Sequence, residues 1–176
     1  MGALFLDRDG VINRRIVDGY VTRPEDFVLI DGVPEAFAIL AKCFDHIFVV
    51  TNQQGIGKGL MTEADLKAIH QCLFDRVEEA GGRIDRIYHC PNLKSDHSFM
   101  RKPSIGMAIR ARKDFPCVVL RHSVMVGDTE SDMLFGRRAG MQTVLVGDET
   151  DLARRKPHLV DRCYPDLISF AKAIKK

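Results

Sequence analysis

The chain has 176 residues, 45% of them hydrophobic, which is enough to bury a sizeable core and few enough that one domain spanning 1–176 is expected. Its 26 Lys and Arg nearly balance 24 Asp and Glu and are spread along the chain, which argues against nucleic acid as a partner. Met1–Leu6 lacks the charged and long apolar regions of a signal peptide, no run of about 18 apolar residues occurs, and the five cysteines form no close pair, so a soluble cytoplasmic protein with reduced thiols and no membrane partner is expected.

Taken in chain order, short apolar runs rich in β-formers alternate with segments of helical period. Strands are predicted at Ala3–Leu6, Ile47–Val50, Ile84–Tyr88, Val124–Val126 and Thr143–Val146. Helices are predicted over Pro34–Cys43, from Thr62 to the Gly81-Gly82 stop, and over Ile105–Lys113, Ser131–Ala139 and Pro165–Ile174. The Thr62 hydroxyl and Asp65 carboxylate suit a capping box, and Leu66, Ile69, Leu73 and Val77 mark one face of that helix. Strand followed by helix implies right-handed crossovers, hence an α/β fold: a Rossmann-like, doubly wound parallel sheet with helices on both faces and no separate cap domain. Such sheets bind ligands at the carboxyl ends of their strands, and the two long aperiodic stretches, Asn13–Leu29 and Cys90–Ser104, are the natural places for substrate contact.

Four strand ends carry polar chemistry. After the first strand, Asp7-Arg8-Asp9-Gly10 holds two carboxylates two residues apart, a like-charge pair that a hard, oxygen-preferring cation such as Mg2+ would relieve. After the second, Thr51-Asn52-Gln53-Gln54-Gly55 offers a hydroxyl, amides and backbone N–H groups to phosphate oxygens. Lys102, in Arg101-Lys102-Pro103, can present a compact positive charge to a transferring phosphoryl group. After the fourth, Gly127-Asp128-Thr129-Glu130-Ser131-Asp132 gives Asp128 as a further metal ligand and Asp132 as a support for either the ion or Lys102. Any one of these is also a common turn or cap; the four in this order are specific.

In that order the motifs at 7–10, 51, 102 and 127–132 resemble those of the haloacid dehalogenase superfamily of phosphohydrolases. A closer resemblance, carried by Phe5–Asn13, Gly19-Tyr20-Val21, Thr51–Gly59 and Arg101-Lys102-Pro103, is to the heptose bisphosphate and histidinol phosphate phosphatases. The resemblance implies a Mg2+-dependent phosphomonoesterase in which Asp7 is the nucleophile and Asp9 the general acid and then base. It further implies that Thr51 and Lys102 complete the catalytic set and that Asp7, Asp128 and the backbone carbonyl of Asp9 bind the metal. Asn52, Gln53, Lys58 and Arg101 are expected to contact substrate, with Lys58 and Arg101 favouring a second anion and therefore a heptose bisphosphate over histidinol phosphate. General acid–base help is worth roughly 10²–10⁴, so most of the rate must come from charge neutralisation and alignment.

The relatives' zinc loop, a Cys-x-His pair and a later Cys-x-Cys pair before the lysine motif, is reduced here to Cys90. Structural zinc is not expected, although His89, Cys90 and His97 leave an irregular site open. A receiver-like signalling module is disfavoured because the acidic pair and the proposed phosphate acceptor share one strand end. A phosphotransferase would need a lid that keeps water from the phosphoenzyme, for which no segment is long enough. A monomer acting on a small phosphorylated metabolite is expected.

Overall fold

The computed structural model describes residues 2–147 and 150–175; positions 1 and 176, the ends of the expected domain, lie outside the described residues. Six strands form one parallel sheet: β1 (Ala3–Leu6), β2 (His46–Asn52), β3 (Arg86–Cys90), β4 (Val124–Gly127), β5 (Gln142–Val146) and β6 (Arg162–Tyr164), in the order β3-β2-β1-β4-β5-β6. The chain runs outward from β1 through β2 to β3, then returns to place β4 on the other side of β1. The topological switch therefore lies between β1 and β4, where Leu6 stands opposite Val126 and the Asp7 N–H donates to the Val126 carbonyl at 3.0 Å.

The central strands are buried on both faces and so are apolar throughout rather than alternating. Leu4, Leu6, Ile47 and Val49 point to one side, under α1 (Val33–Cys43), α3 (Glu63–Glu79) and α7 (Leu167–Ile174). Phe5, Phe48, Val50 and Met125 point to the other, where Met107, Ala108 and Ala111 of α4 (Gly106–Asp114) and Phe135 of α5 (Glu130–Arg138) cover them. The expected Thr62 capping box is present, the Asp65 N–H donating to Thr62 Oγ1 at 3.1 Å and the Thr62 N–H to Asp65 Oδ2 at 2.8 Å.

Several elements differ from expectation. The third strand starts two residues later than predicted, because the Asp85 carboxylate takes the Ile47 N–H at 2.7 Å and so interrupts the ladder at its entrance. Between β2 and α3 lies a single helical turn, α2 (Gln54–Gly57), where no helix is among the predicted elements. The edge strand β6 and helix α6 (Thr150–Arg155) went unpredicted: Arg162 and Cys163 are exposed and, among the described side chains of α6, only Leu152 is buried, so neither segment carries an amphipathic signature. No helix among the described residues is long and apolar enough to cross a membrane.

The long stretch after β1 is pinned at its base, with the Arg14 N–H donating to the Val28 carbonyl at 2.8 Å and the Ile30 N–H to Ile12 at 3.0 Å. Its tip lines a cleft of about 1140 Å³ at the carboxyl ends of the strands, together with Lys58 from the loop after α2 and Lys94, His97 and Arg101 from the loop after β3.

Candidate active site

Asp7 leaves the sheet directly after the buried run of β1, so its side chain emerges at the switch point, and it is only 6% exposed. The turn that follows is wound on the Arg8 carbonyl, which accepts from the Ile12 N–H at 2.8 Å and the Asn13 N–H at 3.1 Å. Gly10 has φ +97°, and a Cβ there would lie 2.0 Å from Asp128 Oδ2. A side chain at position 10 would keep the two acidic strand ends apart.

Lys102 Nζ lies 2.7 Å from Asp7 Oδ1 and 2.6 Å from Asp132 Oδ1, all three side chains being buried. Of the two roles left open for Asp132, the structure shows the ion pair with Lys102. Its other oxygen, Oδ2, caps α5 by accepting from Thr129 Oγ1 at 2.6 Å and the Thr129 N–H at 3.1 Å. Carboxylate oxygens of Asp7, Asp128 and Asp132 lie within 4.8 Å of one another. Burial, reinforced by repulsion from Asp132, pushes the Asp7 carboxyl up to about 8 even against the attraction of Lys102. Burial and Asp132 likewise push Asp128 up to about 6. The cluster is thus short of positive charge, the condition under which a hard cation binds through oxygen donors.

Asp9 is placed differently. Burial alone would raise its pKa, but the Arg8 guanidinium and hydrogen bonds from Asn13, Arg8 and Gln53 more than offset this and hold the carboxyl below the usual range. Arg8 Nη2 donates to Asp9 Oδ1 at 2.9 Å, Asn13 Nδ2 to the same oxygen at 3.0 Å, and Gln53 Nε2 to Oδ2 at 2.9 Å. Arg8 is itself 1% exposed, lies 5.7 Å over the Phe27 ring, and approaches the neutral His70, whose imidazole is pushed down to about 3 by burial and by Arg8.

Two residues expected to contact substrate are used inside the protein. The Asn52 amide donates to the Lys102 carbonyl at 3.1 Å and accepts from the Lys102 N–H at 3.0 Å. The Gln53 amide joins Asp9 to Thr51, donating to Thr51 Oγ1 at 2.7 Å, while its oxygen accepts from Arg8 Nη2 at 3.3 Å. Their side chains lie beside the reacting groups because β2 runs two residues further than the expected strand, to Asn52, and its end faces both Lys102 and Asp9. Thr51 is buried at the same strand end. Lys58 Nζ lies 5.2 Å over the Tyr20 ring, and Arg101 Nη1 donates to the Asn92 carbonyl at 3.2 Å; both line the cleft. His89 Nε2 lies 2.9 Å from Glu63 Oε2, and Cys90 Sγ donates to Asn92 Oδ1 at 3.6 Å, so these two residues of the irregular metal set turn to other partners.

The residue that sequence reasoning passed over is Arg15. Its Nη2 donates to the Asp9 carbonyl at 2.7 Å and to Asp128 Oδ1 and Oδ2 at 2.9 and 2.8 Å. The signal available was its place in the Asn13–Leu29 stretch; nothing in its immediate neighbours marks it out.

Against known proteins, the family described as HAD-hydrolase-like matches residues 99–169. The D-glycero-alpha-D-manno-heptose-1,7-bisphosphate 7-phosphatase of Burkholderia mallei is 42% identical over 161 residues, covering 86% of this chain and 82% of that protein. The D-glycero-beta-D-manno-heptose-1,7-bisphosphate 7-phosphatase of Helicobacter pylori is 34% identical and covers 97% of both chains. Among solved structures, the D,D-heptose 1,7-bisphosphate phosphatase of B. bronchiseptica, determined with magnesium and phosphate, superposes with a TM-score of 0.90 at 30% identity, over 99% of this chain and 98% of that one. This chain belongs to the haloacid dehalogenase-like hydrolases, in the family of the heptose-1,7-bisphosphate 7-phosphatases, and is a phosphoric monoester hydrolase.

Proposed function

We propose that the chain removes one phosphate from D-glycero-D-manno-heptose 1,7-bisphosphate, with Asp7 as nucleophile and Asp9 as general acid and base. The observation that carries the chemistry is the Lys102 ammonium held between Asp7 and Asp132 next to Asp128. It fixes a positive charge beside a buried carboxylate at a strand end, which suits Asp7 to attack phosphorus.

The oxygen donors fit a magnesium ion: the Asp7 and Asp128 carboxylates and the Asp9 carbonyl are hard ligands in a cluster with excess negative charge, and the Asp9 carbonyl and Asp128 converge on a single atom of Arg15. When bound, the ion would neutralise charge on the phosphoryl oxygens. Asp7 attacks phosphorus as Asp9 gives its proton to the leaving sugar oxygen; the phosphate–sugar bond breaks and an aspartyl phosphate forms. Asp9, now a carboxylate, takes a proton from water, which attacks that phosphorus and frees inorganic phosphate and Asp7. The bonds from Arg8, Asn13 and Gln53 favour the carboxylate that the second step requires and oppose the protonated form that the first requires, so Asp9 has to take up its proton with the substrate before it acts as the acid. Thr51 is close enough to Gln53 to be steered toward a phosphate oxygen.

Lys58 and Arg101 on the outer wall of the cleft supply charge for the second phosphate, and the names of the relatives point to the same substrate. One domain without a cap, consisting of the single sheet and its two helix layers, acting as a monomer in the cytoplasm with its thiols reduced, is consistent with a small substrate that enters from solvent. Phosphate release should be measured against heptose 1,7-bisphosphate, histidinol phosphate and an aryl phosphate, with and without Mg2+. The reading expects the bisphosphate to have the highest kcat/KM, and Lys58→Ala with Arg101→Ala to lower that preference by raising KM. Equal turnover of histidinol phosphate would overturn the substrate assignment.

A further inference from the structure

One nitrogen atom of Arg15 sits among the oxygens through which the site is read as holding its metal. Nη2 lies 2.7 Å from the Asp9 carbonyl oxygen and 2.8 and 2.9 Å from the two oxygens of Asp128. Three short contacts to a single donor atom, from two segments of the chain, form a coordination shell in outline, with a guanidinium nitrogen at its centre. Arg15 reaches it from a segment without regular secondary structure, and its side chain is 48% exposed while Asp128 is 17% exposed. The guanidinium can withdraw toward solvent; the carboxylate and carbonyl cannot.

We propose that Arg15 is a tethered counter-cation that competes with magnesium for the Asp9 carbonyl and Asp128, keeping these ligands aligned and neutralised until the ion displaces it. The proposal rests on the magnesium site described above. The physical reason is that Gly10 allows Asp128 to within van der Waals contact of the Asp7–Gly10 backbone, and Asp7 and Asp132 stand nearby, so the ligands repel one another unless a cation lies between them. A fixed guanidinium satisfies that need at the cost of affinity, since the ion has to break charge-assisted hydrogen bonds to enter. Arg15 and other residues of the segment from Asn13 to Leu29 line the cleft, so open space lies beside the guanidinium.

The test is calorimetric titration of MgCl2 into phosphate-free protein, comparing the parent chain with Arg15→Ala, Arg14→Ala and Asp128→Asn. Arg14 is the charge control: it is the adjacent arginine, and its guanidinium pairs with the exposed Asp31 at 3.5 Å instead of with the cluster. The expected result is that Arg15→Ala binds Mg2+ about five- to tenfold more tightly, that Arg14→Ala leaves the affinity within twofold of the parent (estimates from the strength of exposed charge-assisted contacts), and that Asp128→Asn weakens it. In thermal melts Arg15→Ala should be less stable than the parent without Mg2+ and regain that loss when Mg2+ is added. Unchanged or weaker binding by Arg15→Ala, or equal tightening by Arg14→Ala, overturns the proposal while leaving the magnesium site in place. Absence of Mg2+ binding by the parent together with no effect of Asp128→Asn overturns both.

Discussion

Asn52 and Lys102, 50 residues apart, are joined by a reciprocal pair of hydrogen bonds in which the Asn52 side chain takes the place of a neighbouring strand and reads both backbone groups of Lys102. The ammonium that pairs with Asp7 and Asp132 is therefore positioned from the end of β2. Replacing Asn52 with Ala leaves two backbone groups to water and loosens the lysine without touching its charge. The expected outcome is a fall in kcat of about 10²-fold, the scale of an ångström-level misplacement, with KM changing much less. Steady-state kinetics check it.

Asp7→Asn and Lys102→Met should separate catalysis from stability. Asp7→Asn is expected to lower kcat by about 10⁴-fold or more while its melting temperature in metal-free buffer at pH 7 equals or exceeds the parent's, since burial and Asp132 disfavour the Asp7 charge and Lys102 keeps Asp132 as a partner. Lys102→Met removes an ammonium that lies between two buried carboxylates and should cost about 3–5 kcal/mol at pH 7 in denaturant unfolding.

Asp9 should titrate higher when its hydrogen bonds are thinned. Gln53→Leu removes one donor, worth about 1 kcal/mol, and is expected to raise the Asp9 pKa, as followed by carboxyl 13C shifts through a pH series. A pKa unchanged or lower in the variant would mean that the amide contributes nothing to holding the carboxylate.

Magnesium should stabilise the protein more at pH 8 than at pH 5.5. Asp7 and Asp128 have folded-state values of about 8 and about 6 against 3.8 for the unfolded chain, so their contribution to stability is complete below about pH 4 and is lost as pH climbs through 6 and then 8. The ion binds the deprotonated ligands and offsets that loss. Melting temperatures with and without MgCl2 at the two pH values measure the difference, and a larger shift at pH 5.5 would contradict the sign.

The central strands were legible because burial on both faces leaves an uninterrupted apolar run, as in Ala3–Leu6, with no alternation to blur it. Asp7 and Asp128 were legible for a related reason: a charged residue set directly after such a run, or behind a glycine, has little structural purpose there, whereas Lys102, in a loop, stands out only through the order of the four motifs and the family resemblance. The capping box at Thr62 could be read because it is local. What escaped was set by tertiary contact. Arg162 and Cys163 become a strand only because Val144 and Leu145 offer an edge to pair with, and Asp85 shortens β3 by bonding to a residue 38 positions away. Asn52 and Gln53 looked like phosphate ligands because amides suit both tasks; their partners, Lys102 and Asp9, lie 50 and 44 positions away and are met only in the folded chain. Arg15 has no local signature at all, since its two partners lie at 9 and 128.

The most direct test of the account is to quench the enzyme during turnover of a phosphorylated sugar in the presence of Mg2+ and to locate any phosphoryl group by peptide mass spectrometry. The arrangement of Lys102 between Asp7 and Asp132 predicts one acid-stable, hydroxylamine-sensitive phosphoryl group on the peptide carrying Asp7, absent from Asp7→Asn. Full turnover by Asp7→Asn, or a phosphoryl group on any other residue, would contradict it.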